Sequence, residues 1–327
     1  MSREISLKSY AARRLLKFIP FILIIILVNF MIIHLAPGDP VDVMIGEQAV
    51  SPGYREMLRE KMGFDRPLYE QFIRYIKNIL SGDLGYSLGY HQPVLTIILE
   101  RVPLTLLLMG SSFVYAIILG VVLGVYTSKR PYHLTDNIIS ITSLIGYSVP
   151  NFWLGMMFLL LFSLNLRWFP AQGTRILDIN LTGWASFLDL VRHMVLPALT
   201  LGTGYLARYT RFTRASMLEI LRKDFIVTAR GKGLAERTVL YRHALRNALI
   251  PVVTMVGLDF GFMFTGSVIT ETVFAWPGLG RLMYDSISLR DYPLLMGIFI
   301  MVSIMVMLAT LATDILYAFL DPRIRYR

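Results

Sequence analysis

Apolar runs of about 20 residues recur along the 327-residue chain at Phe18 to Leu35, Val102 to Tyr126, Ile138 to Leu166, Leu249 to Thr270 and Leu294 to Leu320, with a shorter one at Met194 to Ala207. At 1.5 Å of rise per residue, a helix of about 20 residues crosses roughly 30 Å of hydrocarbon. The pattern therefore predicts six spanning helices. Ile138 to Leu166 is long for one crossing, and Pro150 within it predicts a kink or a short helix leading into the span. The Met194 to Ala207 run is short, preceded by Asp189, Arg192 and His193 and interrupted by Pro197.

Between the runs, Pro37 to Arg101 is too polar to span. Within it, Gly63 to Leu80 places Leu68, Phe72, Ile76 and Leu80 at helical spacing, which predicts a short amphipathic helix lying over the bundle. Ser81 to Ser87, SGDLGYS, reads as a turn with two glycines. Arg13, Arg14 and Lys17 precede the first run as they would in a signal peptide. Asn29, His34 and the PGDP of Pro37 to Pro40 make a poor cleavage site, however, so this run reads as a retained helix.

Composition agrees: 55% of residues are apolar, 17% are charged and the mean hydropathy is +0.58. Soluble domains carry about a quarter charged residues. The net charge of +10 could mean nucleic acid, but its distribution explains it otherwise. The two ends with the loops Ser128 to Asp136 and Arg208 to Arg246 hold 20 basic and 6 acidic residues, whereas the opposite loops hold 12 and 14. Short loops rich in Lys and Arg stay in the cytoplasm, so both termini are expected there and no nucleic-acid partner is needed. Without the Met194 to Ala207 span, Arg208 to Arg246 would lie outside, against that rule.

The informative cytoplasmic stretch is Lys223 to Pro251, KDFIVTARGKGLAERTVLYRHALRNALIP. Asp224 is expected to cap a helix over Phe225 to Lys232, Arg230 and Lys232 to suit its C-terminal dipole, and Gly233 to supply the left-handed stop. A second helical stretch, Ala235 to Ala248, then leads to Pro251 in the first turn of the next span. Permeases of ATP-binding-cassette (ABC) importers carry a cytoplasmic Glu-Ala-Ala loop with a downstream Gly before their penultimate span. Here Ala229 and Gly233 match, Val227 and Thr228 replace the first Glu and Ala, and Ile250-Pro251 stands at the Leu-Pro position. In these departures the chain resembles the peptide/nickel branch, first-permease type, whose TAR-x-KGL and HALRNAL-x-P match Thr228 to Leu234 and His243 to Pro251. The series continues in RRLL (Arg13 to Leu16), APGDP (Ala36 to Pro40), GDLGYS (Gly82 to Ser87), PNFWLG (Pro150 to Gly155), ETVFAWPGLGRLM (Glu271 to Met283) and LDPRIR (Leu320 to Arg325).

The resemblance implies an all-α polytopic membrane protein with the type I ABC importer transmembrane fold. Residues 1–101 would form a first helix plus an extracytoplasmic region, and 102–327 a permease core with a coupling loop at 208–248. It implies a multi-pass protein of the cytoplasmic (inner) membrane, in contact with lipid, forming half of a translocation path. A homologous permease, usually a paralogue, would complete the path. Two ABC ATPase subunits would bind ATP and Mg, and an extracytoplasmic binding protein would deliver substrate. Asp224, Phe225, Thr228, Ala229, Arg230, Gly231, Lys232, Gly233 and Leu234 are the expected ATPase-coupling interface. Small Ala229, Gly231 and Gly233 are the points where two backbones would approach. Di- or oligopeptides are the expected substrate, with nickel, glutathione or oligosaccharides as alternatives in the same family. The outward Glu271 to Pro293 loop is expected to meet the binding protein or line the outer gate.

Asp259, near the centre of the fifth span, costs a few kcal/mol unless it faces the bundle interior, so it is a candidate for the translocation path or for pairing between helices. Asp314 in the sixth span suits packing or an interface. Gly257 and Gly261, four apart, would permit close helix contact. The chain lacks cysteine, a GxxxxGK[ST] phosphate loop, a nucleophile elbow and any paired-histidine metal motif. No catalytic residue, metal or cofactor of its own is expected. An ion-coupled secondary transporter would require inverted halves and a cluster of intramembrane acids, and an integral membrane enzyme would require a catalytic constellation.

Overall fold

The computed structural model describes residues 7–35, 65–87, 89–175 and 182–320, with positions 53, 56, 57 and 60. Among these the chain is almost wholly helical. Its elements are α1 (Leu7–Leu35), α2 (Leu68–Leu80), α3 (Val94–Lys129), α4 (Leu134–Ser148), α5 (Asn151–Phe158), α6 (Gly183–Leu221), α7 (Asp224–Gly231), α8 (Arg246–Val273), α9 (Leu279–Ser288) and α10 (Tyr292–Leu320). Segments of π-helix, Leu159–Asn165 and Val239–Leu245, continue α5 and lead into α8. The expected motifs at Pro37 to Pro40 and Asp321 to Arg325 fall outside the described residues.

The chain divides into two compact units, Met1–Pro103 with Gly278–Leu311, and Leu104–Pro277 with Ala312–Arg327. In the first, α2 forms as expected, but its half-buried face carries Phe72, Tyr75, Ile76 and Ile79, while Leu68 and Leu80 are exposed. The reason is its neighbour. The rings of Phe72 and Tyr75 meet Phe30 of α1 at 5.2 and 6.1 Å, and Gln71 Oε1 lies 3.0 Å from His34 Nε2. His34 thus fastens α2 to α1.

The glycine turn works through one carboxylate. Gly82 and Gly85 adopt φ of +80° and +93°, and Tyr86–Ser87 pairs antiparallel with Gln92–Pro93. Buried Asp291 caps α10, accepting the Leu294 N–H at 3.1 Å on Oδ1, and on Oδ2 it accepts the Ser87 hydroxyl at 2.5 Å and the Gly89 N–H at 3.2 Å. A single buried acid therefore holds the hairpin to the start of α10. The expected outward loop Glu271 to Pro293 is largely helix instead, because α8 runs on to Val273 and α9 occupies Leu279–Ser288.

In the second unit α6 is the centre. It packs on α3 through glycines that the hydropathy pattern does not mark. A Cβ on Gly120 would come within 2.7 Å of the Tyr209 Cβ, one on Gly124 within 2.6 Å of the Thr213 Cβ, and one on Gly202 would meet the Tyr115 ring and the Ser112 carbonyl. The Tyr115 hydroxyl donates to the Leu199 carbonyl at 2.8 Å across the same seam. α4 and α5 are bent by 105° at Pro150, so the long third run is a broken element, as Pro150 predicted. By length and apolar composition α3 and Tyr292–Ile315 of α10 qualify as spans, and the bent pair adds a third if it counts as one; α1 holds a shorter apolar stretch, Leu16–Ile32. The shortest predicted run, Met194 to Ala207, is the middle of a 39-residue helix that extends roughly 58 Å at 1.5 Å per residue.

Replacing Gly202 by Leu should therefore separate α3 from α6. The expected loss is about 1–3 kcal/mol or more, read as a lower melting temperature of the detergent-solubilised protein. Gly173→Ala, where no atom lies within 4 Å but φ is +80°, should cost less.

Candidate functional site

Helix α7 is where the sequence placed the function. Lys223, in extended backbone with φ −76° and ψ 147°, is its N-cap, and Asp224 is the first helical residue rather than the cap. The acid still favours the positive end of the helix dipole. At the other end Gly233 has φ +73°, its N–H donates to the Arg230 carbonyl at 2.9 Å, and the Leu234 N–H reaches the Ala229 carbonyl at 3.4 Å. That pair of bonds is a Schellman stop, which needs a left-handed residue and so favours glycine. Arg230 grips Glu236 with two bonds, Nη2 to Oε1 at 2.7 Å and Nε to Oε2 at 3.1 Å, holding the Glu236 carboxyl below its usual range.

The helix has two faces. Ile226 and Ala229 are buried in an apolar cluster with Val125 of α3, Met217 of α6, Val239, Leu240 and Ala244 of the π segment, and Ala248 of α8. Full burial of one such isoleucine contributes about 1.5–3 kcal/mol. Ala229 thus serves the chain's own core. Phe225 and Val227 are 44% and 61% exposed, and Thr228, Arg230, Gly231, Lys232, Gly233 and Leu234 lie on the open side. A Cβ on Gly231 or Gly233 would meet nothing within 4 Å, so their outer surface is free. The second helical stretch starts at Glu236 and widens into a π turn, which places Pro251 in the second turn of α8 rather than its first.

Two charge clamps hold α6. Arg214 makes a two-pronged bond to buried Asp136 at the start of α4, Nε to Oδ1 at 2.6 Å and Nη2 to Oδ2 at 2.7 Å. The Tyr132 N–H adds a bond to Oδ2 at 2.8 Å and the Ser140 hydroxyl one to Oδ1 at 3.3 Å. The guanidinium holds the Asp136 carboxyl below its usual range, against the opposing effect of burial, and is itself raised by the carboxylate. Sequence reasoning missed this pair because its members stand 78 positions apart.

The second clamp contains the expected Asp259 of α8. Its Oδ1 accepts from Arg208 Nη1 at 2.6 Å and its Oδ2 from the Tyr209 hydroxyl at 3.1 Å, so it pairs between helices. The Arg208 guanidinium lies 5.8 Å from the Tyr147 ring and 5.7 Å from the Tyr205 ring. The Gly257 carbonyl accepts the Thr313 hydroxyl at 3.0 Å, a close approach of α8 to the end of α10. Among the described residues no group of three or more His, Cys, Asp or Glu is placed to hold a metal.

Residues 93–326 match the family described as binding-protein-dependent transport system inner membrane component, and residues 7–109 match the N-terminal family of the same membrane component. The oligopeptide transport system permease protein AppB of Bacillus subtilis (strain 168) is 42% identical over 97% of this chain and 99% of its own length. The di/tripeptide transport system permease protein DppB of Pseudomonas aeruginosa (strain UCBPP-PA14) is 42% identical over 98% and 99%. The glutathione transport system permease protein GsiC of Escherichia coli (strain K12) is 40% identical over 98% and 99%.

Two expectations follow from the geometry. Gly233→Ala forces a Cβ into the left-handed region and should cost about 1–2 kcal/mol of stability, measured by thermal melting. The depressed Asp136 carboxyl contributes stability above the ordinary carboxylate range of about 4 and loses it as pH falls through its lowered value. The melting temperature should therefore drop below about pH 4, and Asp136→Asn should be less stable at pH 7 and less sensitive to acid.

Proposed function

The chain belongs to the family of binding-protein-dependent transport system inner membrane components, and from that premise we propose that it is the membrane half-pathway of an ATP-driven importer of di- or oligopeptides. Peptide is favoured because relatives at 42% identity across nearly their whole length are peptide permeases by name. Glutathione, itself a tripeptide, is the second reading, favoured by the relative of that name.

In this reading both termini and the segment from the end of α6 to Arg246 face the cytoplasm, in keeping with the basic excess there, whereas Arg208, where the charge pattern began that loop, lies within the continuous helix α6. A second, homologous permease, a paralogue, completes the path. Two separate ATPase subunits bind ATP and Mg below it, and a soluble binding protein docks above. The carrying observation is the two-faced α7. Ile226 and Ala229 anchor it to the ends of α3, α6 and α8, and exposed Phe225, Val227 and Leu234 offer apolar surface outward. Thr228, Arg230, Gly231, Lys232 and Gly233 complete that outer surface.

A helix capped by a Schellman stop and braced by Arg230–Glu236 moves as a rigid body. Closure of the ATPases would push it, and the shared apolar cluster would carry the displacement into three long helices, a two-state element of the kind alternating access needs. Phe225→Asp combined with Val227→Asp removes the outward apolar surface and leaves Ile226 and Ala229 in place. Co-purification of the ATPase subunits should fall at least about ten-fold, the equivalent of 1.4 kcal/mol, and peptide uptake into proteoliposomes should fall with it. Normal association and uptake in that variant would remove α7 from the ATPase interface. Uptake that needs no ATPase at all would refute the importer class.

A further inference from the structure

Arg208 stands at a depth where an exposed cation needs a reason. In the orientation proposed above, Asp136 marks the cytoplasmic end of α4, and the residue it grips, Arg214, lies six positions along α6 from Arg208, or about 9 Å. Tyr147, whose ring flanks the guanidinium, is eleven positions up α4, or about 16 Å. The guanidinium therefore sits between these levels, toward the middle of a hydrocarbon core about 30 Å thick. Its side chain is 36% exposed, and Tyr147 is exposed beside it. A charge at this depth does not face lipid; it faces protein or a water-filled path.

The hydrogen bonding leaves capacity unused. Asp259 engages Nη1 alone, and among the described residues the guanidinium makes no further hydrogen bond. The Nε and Nη2 edge is free, in the fork geometry that matches a carboxylate. Tyr147 and Tyr205 wall it on its ring contacts, and Phe113 stacks edge-on against Tyr205 at 5.7 Å, fixing that wall. Asp259 is held in turn by the Tyr209 hydroxyl. The resident pair is thus neutral overall, with an anion-seeking edge.

We propose that Arg208, walled by Tyr147 and Tyr205 and fixed by Asp259, is a transit station on the translocation path that receives the α-carboxylate of a passing peptide. The inference rests on the peptide reading above. A free arginine would trap an anion in a low-dielectric path. Asp259 tempers the attraction, so the station is favourable enough to enter and weak enough to leave, as conduction requires. Two half-exposed tyrosines offer ring faces to peptide side chains of any kind, which suits a pathway that passes many sequences.

The chain has no cysteine, so a single one can report on the station. In the complete transporter, turning over with ATP and binding protein, Tyr147→Cys is labelled with anionic and cationic methanethiosulfonate reagents, and labelling is read on this chain by mass. With Arg208 present, the anionic-to-cationic rate ratio should exceed that of the Tyr147→Cys/Arg208→Gln variant by about ten-fold, the low end of electrostatic focusing. In the otherwise native chain, Arg208→Gln should cut uptake of peptides with a free C-terminal carboxylate about ten-fold, with Arg208→Lys intermediate because it keeps the charge and loses the fork. Labelling by neither reagent would place Tyr147 against lipid or the partner permease and overturn the station. A charge ratio indifferent to Arg208 would overturn it too, as would an Arg208→Gln/Asp259→Asn variant that restores uptake, because the pair would then be structural alone. If the native complex shows the charge ratio but imports no peptide, it is the peptide reading that fails, and the carboxylate assignment with it.

Discussion

A charge buried between helices persists only where the protein supplies its partner, and α6 is built around that constraint. Its 39 residues carry Arg208 and Arg214 on a helix that packs against α4, α5 and α8 and meets α3 across the glycine seam. Each arginine is answered by one buried acid on a different helix, Asp259 on α8 and Asp136 on α4. Removing the arginine from either pair would leave a buried carboxylate charged and unsatisfied, a penalty of about 3–5 kcal/mol for a fully buried pair and smaller for Arg208, whose side chain is 36% exposed. The pairs therefore specify which helices stand beside α6, and the glycines at 120, 124 and 202 allow α3 to close on its remaining side.

This explains what could be read in advance. Four long runs advertised themselves because α1, α3, α8 and α10 are apolar along most of their length, and Pro150 announced the bend because it cannot continue a helix. The middle of α6 is faint because its apolar run is closed off upstream by Asp189, Arg192 and His193 and downstream by Arg208, and hydropathy counts Arg208 as a solvated charge although Asp259, 51 positions away, pairs with it. Pairings at that separation leave no periodicity. The Gly120 and Gly124 spacing is present in the sequence, but four-residue glycine spacing is common in apolar helices, and Gly257 and Gly261 of α8 share it.

The α7 segment was legible in outline and not in orientation. Its glycine stop follows from backbone geometry that only Gly233 tolerates easily, so residue identity suffices. Which residues turn inward depends on the cluster beneath, assembled from α3, α6, the π segment and α8. Small size made Ala229 a natural choice for contact with another subunit. It is small because it abuts this chain's own core, and the outward surface belongs to Phe225, Val227 and Leu234.

The π segment Val239–Leu245 joins these two regions. A π turn inserts one residue relative to an α-helix, which rotates everything after it by about 100°. Leu240, Ala244 and Ala248 all reach the cluster that seats α7, and the same register carries Asp259 to Arg208 and Tyr209. A regular helix from Glu236 onward that kept Leu240 in the cluster would turn Asp259 away from α6 and leave Arg208 with no counter-charge. The widened turn is thus what lets one continuous stretch serve both ends, seating α7 at one and supplying the counter-charge of Arg208 at the other. Asp259 stands about four turns along α8 from its start at Arg246, with Pro251 between them.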